Sequence, residues 1–392
     1  MNYGKLIQLF KAKGAAAGKL ALREAFEARS IQPTDIDMGR LFTECFGWHN
    51  FLTCRSGQTL ACDVMSRALT EADGAVSTSA FLNISGQFMF TTVLDAYMAE
   101  EAVFRKLIPE AQASTLDGEK IPGITEIGDE TGVRKETESY PLAGVGEDWI
   151  NTPSIQDRGM IVPVTWEAIF NDKTGLVAQR AGDVGKWMGV RREKAAIDCC
   201  VDENVTTHRY NWRNTVIASY DDNTGTHTWD NLVASNAIVD WTDIDNVEQT
   251  FNAITDPYTG EPILVDPKHL TVTKQNEQVA RRILSATEIR VATPGYATSG
   301  NPTQTNMNNP YLNKYELVTS RLLAARLATD TSWFLADWSK YAKCMMAEKM
   351  NVVPAPPNNH DEFHRRIVQQ YRVNERFAYV VVQPRVACKS TA

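Results

Sequence analysis

Apolar residues recur at helical spacing in several separated stretches of the chain. Phe88, Val93, Tyr97, Phe104 and Leu107 predict helix between 88 and 108. Val177, Ala181, Val184, Met188, Ala195 and Cys199 form one stripe over 175–203, among the longest helical patterns present. Ile244, Val247, Phe251 and Ile254 mark a third helix, with Thr242 as its expected cap and Asp245 three positions on as a weak capping box. Strand signals lie between these. His269–Thr273 reads as a clean strand between the turn Asp266-Pro267 and a helix carrying Val279 and Ile283. Val133–Tyr140, Gly159–Trp166, Tyr315–Leu323, Trp333–Asp337, Arg366–Val373 and Phe377–Val382 read as further strands.

Breaks divide the pattern. Residues 36–110 alternate short helical pieces with polar gaps. From about 115 to 170, glycines and prolines interrupt the strand signals so often that no compact core is expected there. That segment reads as a projecting two-stranded arm, and an isolated hairpin needs a partner surface in water. The span 291–313 is rich in Gly, Pro, Asn and Thr and reads as a long surface loop. Residues 1–30 read as an amphipathic helix in which Lys5, Lys11, Lys13, Lys19, Arg23 and Arg29 outnumber Glu24 and Glu27.

Charge and cysteine content narrow the classes. A net charge of −8 argues against a dedicated sequence-reading DNA protein, whose footprint would be basic, while leaving room for passive contact through the basic N-terminal segment. No apolar run approaches the ~20 residues that span a bilayer, and the N-terminus lacks the apolar core of a secretory signal. The seven cysteines are odd in number and form no Cys-x-x-Cys pair, so they read as free thiols of a reducing compartment.

Candidate chemistry is sparse. His360-Asp361-Glu362-Phe363-His364 imitates the zinc-protease pattern, but Asp361 stands where the general base belongs, and the preceding Pro356-Pro357-Asn358-Asn359 predicts a polar loop. Gly128-Asp129-Glu130-Thr131-Gly132 has the wrong spacing for a phosphate loop. Gly182, Gly185 and Gly189 fall inside a helical pattern, where they permit close packing or a bend. Cys199-Cys200 reads as a half-buried helical pair. Neither a catalytic set, a cofactor nor a metal is expected.

A projecting arm, a long helix, an α/β block and return strands suggest a building block. Ile161-Val162-Pro163-Val164-Thr165-Trp166 leading into Asn171-Asp172-Lys173-Thr174-Gly175 resembles the passage from extended loop to spine helix in tailed-phage major capsid proteins of the HK97 fold. The stretch from Asp256-Pro257-Tyr258-Thr259-Gly260 through His269–Thr273 resembles the axial domain of that family. Trp333-Phe334-Leu335-Ala336-Asp337 and Asn374-Glu375-Arg376-Phe377-Ala378 resemble its return strands. The resemblance covers about 120–390.

It implies an α+β fold with an N-terminal arm and start of the P-domain at 1–114, an E-loop hairpin at 115–170, a spine helix at 171–205, an A-domain at 206–333 and returning P-domain strands at 334–392. The implied function is a major capsid protein that assembles through pentamers and hexamers into an icosahedral shell around double-stranded DNA, in the virion, after assembly in the host cytoplasm. Portal, scaffold and decoration proteins are its implied partners, with no membrane. Tyr140, Trp149 and Ile150 are the expected inter-subunit contacts, and Lys5, Lys11, Lys13 and Lys19 the expected DNA-facing cations. Two other readings stay open: an encapsulin-like compartment shell, and an α/β enzyme with an unrecognised site.

Overall fold

The computed structural model describes residues 37–70, 72–99, 102–122, 149–171, 174–222, 229–255, 262–293, 303–356 and 359–391, with Leu20, Glu24 and Ala25 near the N-terminus. Helices and sheets mix throughout, which is the expected α+β class. The chain divides into two compact units built from discontinuous segments. The first takes residues 1–102, 157–191 and 348–376, and the second takes 103–156, 192–347 and 377–392.

The first unit begins with α1 (Met38–Phe46), α2 (Trp48–Arg55), α3 (Ala61–Thr70) and α4 (Ala72–Ala99). Asp37 caps α1, accepting from the backbone N–H groups of Gly39 and Arg40 at 2.8 and 3.3 Å. Helix α4 runs 28 residues and starts well before the expected 88. Small and hydroxylated residues in 72–87 dilute its periodicity, yet Ala80, Phe81, Ile84 and Ser85 are buried. The Ser85 hydroxyl donates back to the Phe81 carbonyl, and Tyr371 donates to Ser85 at 2.6 Å, so the buried polar group is satisfied.

In the second unit, α5 (Phe104–Leu107), β1 (Glu110–Gln112), β2 (Lys120–Pro122) and β3 (Trp149–Asn151) come first. Strand β4 (Gln156–Thr165), from Asp157 on, lies in the first unit and leads through α6 (Trp166–Phe170) to α7 (Thr174–Val201). Helix α7 follows the sequence pattern closely: Val177, Ala181, Met188 and Cys199 of its stripe are buried. Within the first unit a Cβ on Gly185 would lie 2.2 Å from the Val93 carbonyl oxygen, so a glycine is what lets α4 and α7 meet there. Gly182 faces open space.

The second unit continues with β5 (Tyr210–Trp212), β6 (Thr215–Ile217), β7 (Leu232–Val233), α8 (Trp241–Ala253), β8 (His269–Thr273), α9 (Glu277–Ser285), β9 (Glu288–Thr293) and β10 (Thr303–Asn308). After them come β11 (Glu316–Ser320), α10 (Arg321–Ala324), β12 (Trp333–Ala336), α11 (Trp338–Tyr341), β13 (Ala342–Pro354), α12 (Asn359–Arg365), β14 (Ile367–Val381) and β15 (Ala387–Ser390). Residues from 348 to 376 belong to the first unit.

The expected strand and helix at 269–285 are the centre of the second unit. Strand β8 is buried at all five positions in a mixed sheet of order β11-β8-β12-β15-β7. It pairs parallel with β11 and antiparallel with β12. Trp333, Phe334, Leu335, Trp338 and Tyr341 are almost wholly buried beside it. Each such side chain contributes about 1.5–3 kcal/mol by leaving water. Trp338 donates its indole N–H to the Thr271 hydroxyl at 2.8 Å, and Trp333 donates to the Asn236 carbonyl at 2.8 Å.

Four local expectations are corrected. Helix α8 is capped by Asp240, not Thr242, and its box partner is Asp243, whose carboxylate accepts the Asp240 N–H at 2.9 Å. Helix α12 occupies the expected polar loop around His360. Within the expected loop 291–313, β9 and β10 pair as an antiparallel ribbon from Thr293↔Thr303 to Glu288↔Asn308. Strand β13 runs 13 residues where no strand was expected, because its Ala, Met, Glu and Lys content has helical propensity that sheet pairing overrides.

Candidate assembly surfaces

The motif that most resembled an active site is a structural clasp. Glu362 is 4% exposed. Its carboxylate accepts the backbone N–H groups of Ala61 at 2.7 Å and Cys62 at 2.6 Å, at the start of α3. An anion at a helix N-terminus satisfies donors the helix cannot pair internally. His360 and His364 sit one turn apart with ring centroids 4.4 Å from each other, both exposed. Among the described residues no group of three or more His, Cys, Asp or Glu is placed to hold a metal, and no helix is long and apolar enough to cross a membrane. None of the seven cysteines is in a disulfide. Cys199 and Cys200 are fully buried rather than half-buried, and burial pushes both thiols well up, away from the reactive thiolate.

The other buried charges also tie backbone together. Glu193 accepts the N–H groups of Val103, Phe104 and Arg105 at 3.0, 2.8 and 3.1 Å. Burial raises its pKa, and those three hydrogen bonds oppose the rise. Asp198 takes a bidentate pair from Arg326 at 2.5 and 2.6 Å. Asp202 follows α7 at φ 54°, in the left-handed region that Asp tolerates. Its carboxylate accepts from the Ser219 N–H and from Arg209, both at 2.9 Å, with His208 Nε2 3.5 Å away. Burial alone would raise the Asp202 pKa, but these partners together hold it below the usual value.

The expected contact residues separate. Tyr140, Lys5, Lys11, Lys13 and Lys19 lie outside the described residues. Ile150 is fully buried in its own unit, opposite Trp212 in the sheet β2-β3-β5-β6. That placement corrects the expectation: its side chain is consumed by the subunit's own core and has no surface to offer a neighbour. Trp149 is half-buried, with the Lys120 ammonium 4.8 Å and the Arg213 guanidinium 5.5 Å from its ring. Its indole N–H is buried without an acceptor among the described residues.

Exposed apolar groups mark other surfaces. Strand β4 exposes Met160 and Ile161, and α7 exposes Trp187. In the first unit α1, α2 and α6 enclose a groove of about 360 Å³ lined by Arg40, Trp48, Phe51, Arg55, Phe170 and Asn171, among others. Trp48 is 60% exposed and stacks on Phe51 at 5.4 Å. A sequence reading had one signal for this groove, the run Phe46-Gly47-Trp48-His49-Asn50-Phe51, whose aromatics come too close together for a single buried helix face.

The buried acids serve as clasps, and several aromatics are left on the surface. A family model described as phage capsid protein matches residues 150–390, and the chain belongs to that family. The chain runs in the order β4, α6, the long helix α7, a mixed α/β block and closing strands. No curated protein matches the chain. Among solved structures the chain is similar to one from Mycobacterium phage Bobi, with TM-score 0.43, 11% identity, and 75% of this chain and 93% of that one covered. It is similar to one from Gordonia phage Cozz, with TM-score 0.45, 12% identity, and 75% and 87% covered. It is also similar to the capsid of a native GTA particle, with TM-score 0.44, 10% identity, and 74% and 89% covered. The family assignment rests on the sequence match, not on these superpositions.

Proposed function

We propose that this chain is the major capsid protein of a tailed phage, assembling as pentamers and hexamers into the closed shell that holds the genome. The family match over 150–390 carries the reading, because it takes in the long helix, the central sheet and the closing strands together. Capsid proteins act by self-association, and no catalytic step is assigned to this one. Residues 206–333 supply the A-domain, and the long helix α7 and the strands of 334–392 supply the P-domain. Trp149, with its two cations, and Tyr140 face a neighbouring subunit. Lys5, Lys11, Lys13 and Lys19 contact packaged double-stranded DNA through its phosphates, non-specifically. Scaffold, portal and decoration proteins are its partners, and assembly takes place in the host cytoplasm before the protein resides in the virion.

The test is the content of particles isolated from cells in which the chain is made with its neighbouring phage proteins. Nuclease-protected double-stranded DNA of uniform length is expected. Particles holding one host-encoded enzyme and no DNA would support the compartment reading and overturn this one.

A further inference from the structure

We infer that His360 and His364 on α12 form a surface chelate for one borderline divalent transition-metal ion of the Cu²⁺, Ni²⁺ or Zn²⁺ class. This goes beyond the assembly reading and does not depend on it. Histidines four positions apart lie on one helix face, one turn from each other. Both are exposed, and their ring centroids are 4.4 Å apart with the ring planes at 46°. Metal–nitrogen bonds of about 2.0–2.1 Å put two imidazole centroids about 4.5–5 Å apart when both bind one ion at angles from square to tetrahedral. The pair therefore stands close to chelating separation with no change of the backbone. The Nδ1 atom of His360 faces the Asp361 carboxylate at 3.9 Å, which favours Nε2 as its ligand atom.

Helix α12 is anchored on its other side. Glu362 lies about half a turn from both histidines, and its carboxylate is committed to the Ala61 and Cys62 N–H groups at 2.7 and 2.6 Å. Asp361 accepts from Gln370 at 2.9 Å, and the Arg366 N–H donates to the Glu362 carbonyl at 2.9 Å. The two imidazoles thus stand on a helix fixed in the fold, so little ordering opposes binding. Donor type selects the metal. Imidazole nitrogen suits Cu²⁺, Ni²⁺ and Zn²⁺, with Cu²⁺ held most tightly, whereas Mg²⁺ and Ca²⁺ require oxygen ligands. Two protein ligands are fewer than a catalytic or structural zinc site keeps, so water fills the remaining positions and the ion exchanges. Asp361 and the exposed Arg365 offset each other in charge, so the affinity rests on chelation, the second imidazole binding at high effective concentration once the first is bound.

The experiment titrates Cu²⁺ into the full chain, purified without an affinity tag and in whatever assembly state it is isolated, by isothermal titration calorimetry. Pulsed electron paramagnetic resonance at one equivalent then counts the imidazoles on the ion. Expected are one site per chain stronger than any other, with two imidazoles bound. His360→Ala and His364→Ala should each weaken that site at least about tenfold, because each leaves a single ligand. A third variant, His364→Ala with Arg365→His, keeps the number of histidines but turns the second imidazole off the shared face, and should weaken the site as much. Both histidines are exposed, so all three variants should keep the parent's circular dichroism. Should one misfold, the imidazole count in the parent protein decides. One imidazole or none on the ion, parent affinity in any of the three variants, or binding that is lost only on replacing His49, His208, His227 or His269 overturns the inference. A titration with neither heat nor a signal from bound Cu²⁺ overturns it as well.

Discussion

Glu362 shows how a single side chain can mislead a reading by motif. Flanked by His360 and His364 it has the look of metal chemistry, but the decisive fact is its distance in space from Ala61 and Cys62, 301 and 300 residues away in sequence. No local pattern carries that information. Replacing it by Ala leaves two buried donors at the start of α3 unpaired, and should lower the unfolding free energy of the unassembled subunit by about 2 kcal/mol in a denaturant titration. The same kind of contact sets the pH response. Asp202 and Asp337 have folded-state pKa values below their ordinary ones, in each case because hydrogen bonds and cations outweigh the opposing effect of burial. Their stabilisation is present above the unfolded carboxylate pKa of about 4 and is lost as pH falls through the folded values. Glu193, raised by burial, runs the other way: its contribution is lost as pH rises through its folded value. The Asp202→Asn variant should therefore be less stable by about 3 kcal/mol near neutral pH, with a shallower loss of stability between pH 5 and 3 than the parent.

Elements were legible where burial repeats with a clear period. The stripe Val177, Ala181, Met188 and Cys199 marks α7 and the alternating apolar and Thr positions of 269–273 mark β8, because each faces a core over its whole length. Strand β13 was not legible, since its residues favour helix and only its pairing, such as Glu110↔Cys344 with β1, makes it a strand. The ribbon of β9 and β10 was hidden because the Gly, Pro, Asn and Thr content of 291–313 reads as loop. Beyond the crowded aromatics of 46–51 the groove was hidden, because α1 and α2 meet α6 across more than 100 residues of sequence. Two glycines of α7 test the packing directly. Gly185→Ala forces a methyl group against the Val93 carbonyl and should cost about 1–3 kcal/mol. Gly182→Ala meets nothing within 4 Å and should instead stabilise by about 0.5–1 kcal/mol, because helix interiors favour Ala over Gly. Thermal melts of the two variants should shift in opposite directions.

At the scale of the whole molecule, the proposed assembly role divides the chain between folding and association. Ile150 and its pairing with Ile121 and Trp212 belong to the subunit's own core, so strand β3 cannot be removed without loss of structure. The flanks of residues 123–148, Pro122 and Trp149, are paired partners that a short turn can join. A variant with 123–148 replaced by a Gly-Ser turn should keep near-native circular dichroism and a cooperative melt while losing closed shells by electron microscopy. The resemblance was legible at this scale from the order of segments alone, which is why it survived errors in individual elements. The most direct test of the central claim is the mass of the purified chain, measured by light scattering over a range of assembly conditions. The account predicts a megadalton particle of narrow size distribution; a small monodisperse oligomer under every condition would contradict it.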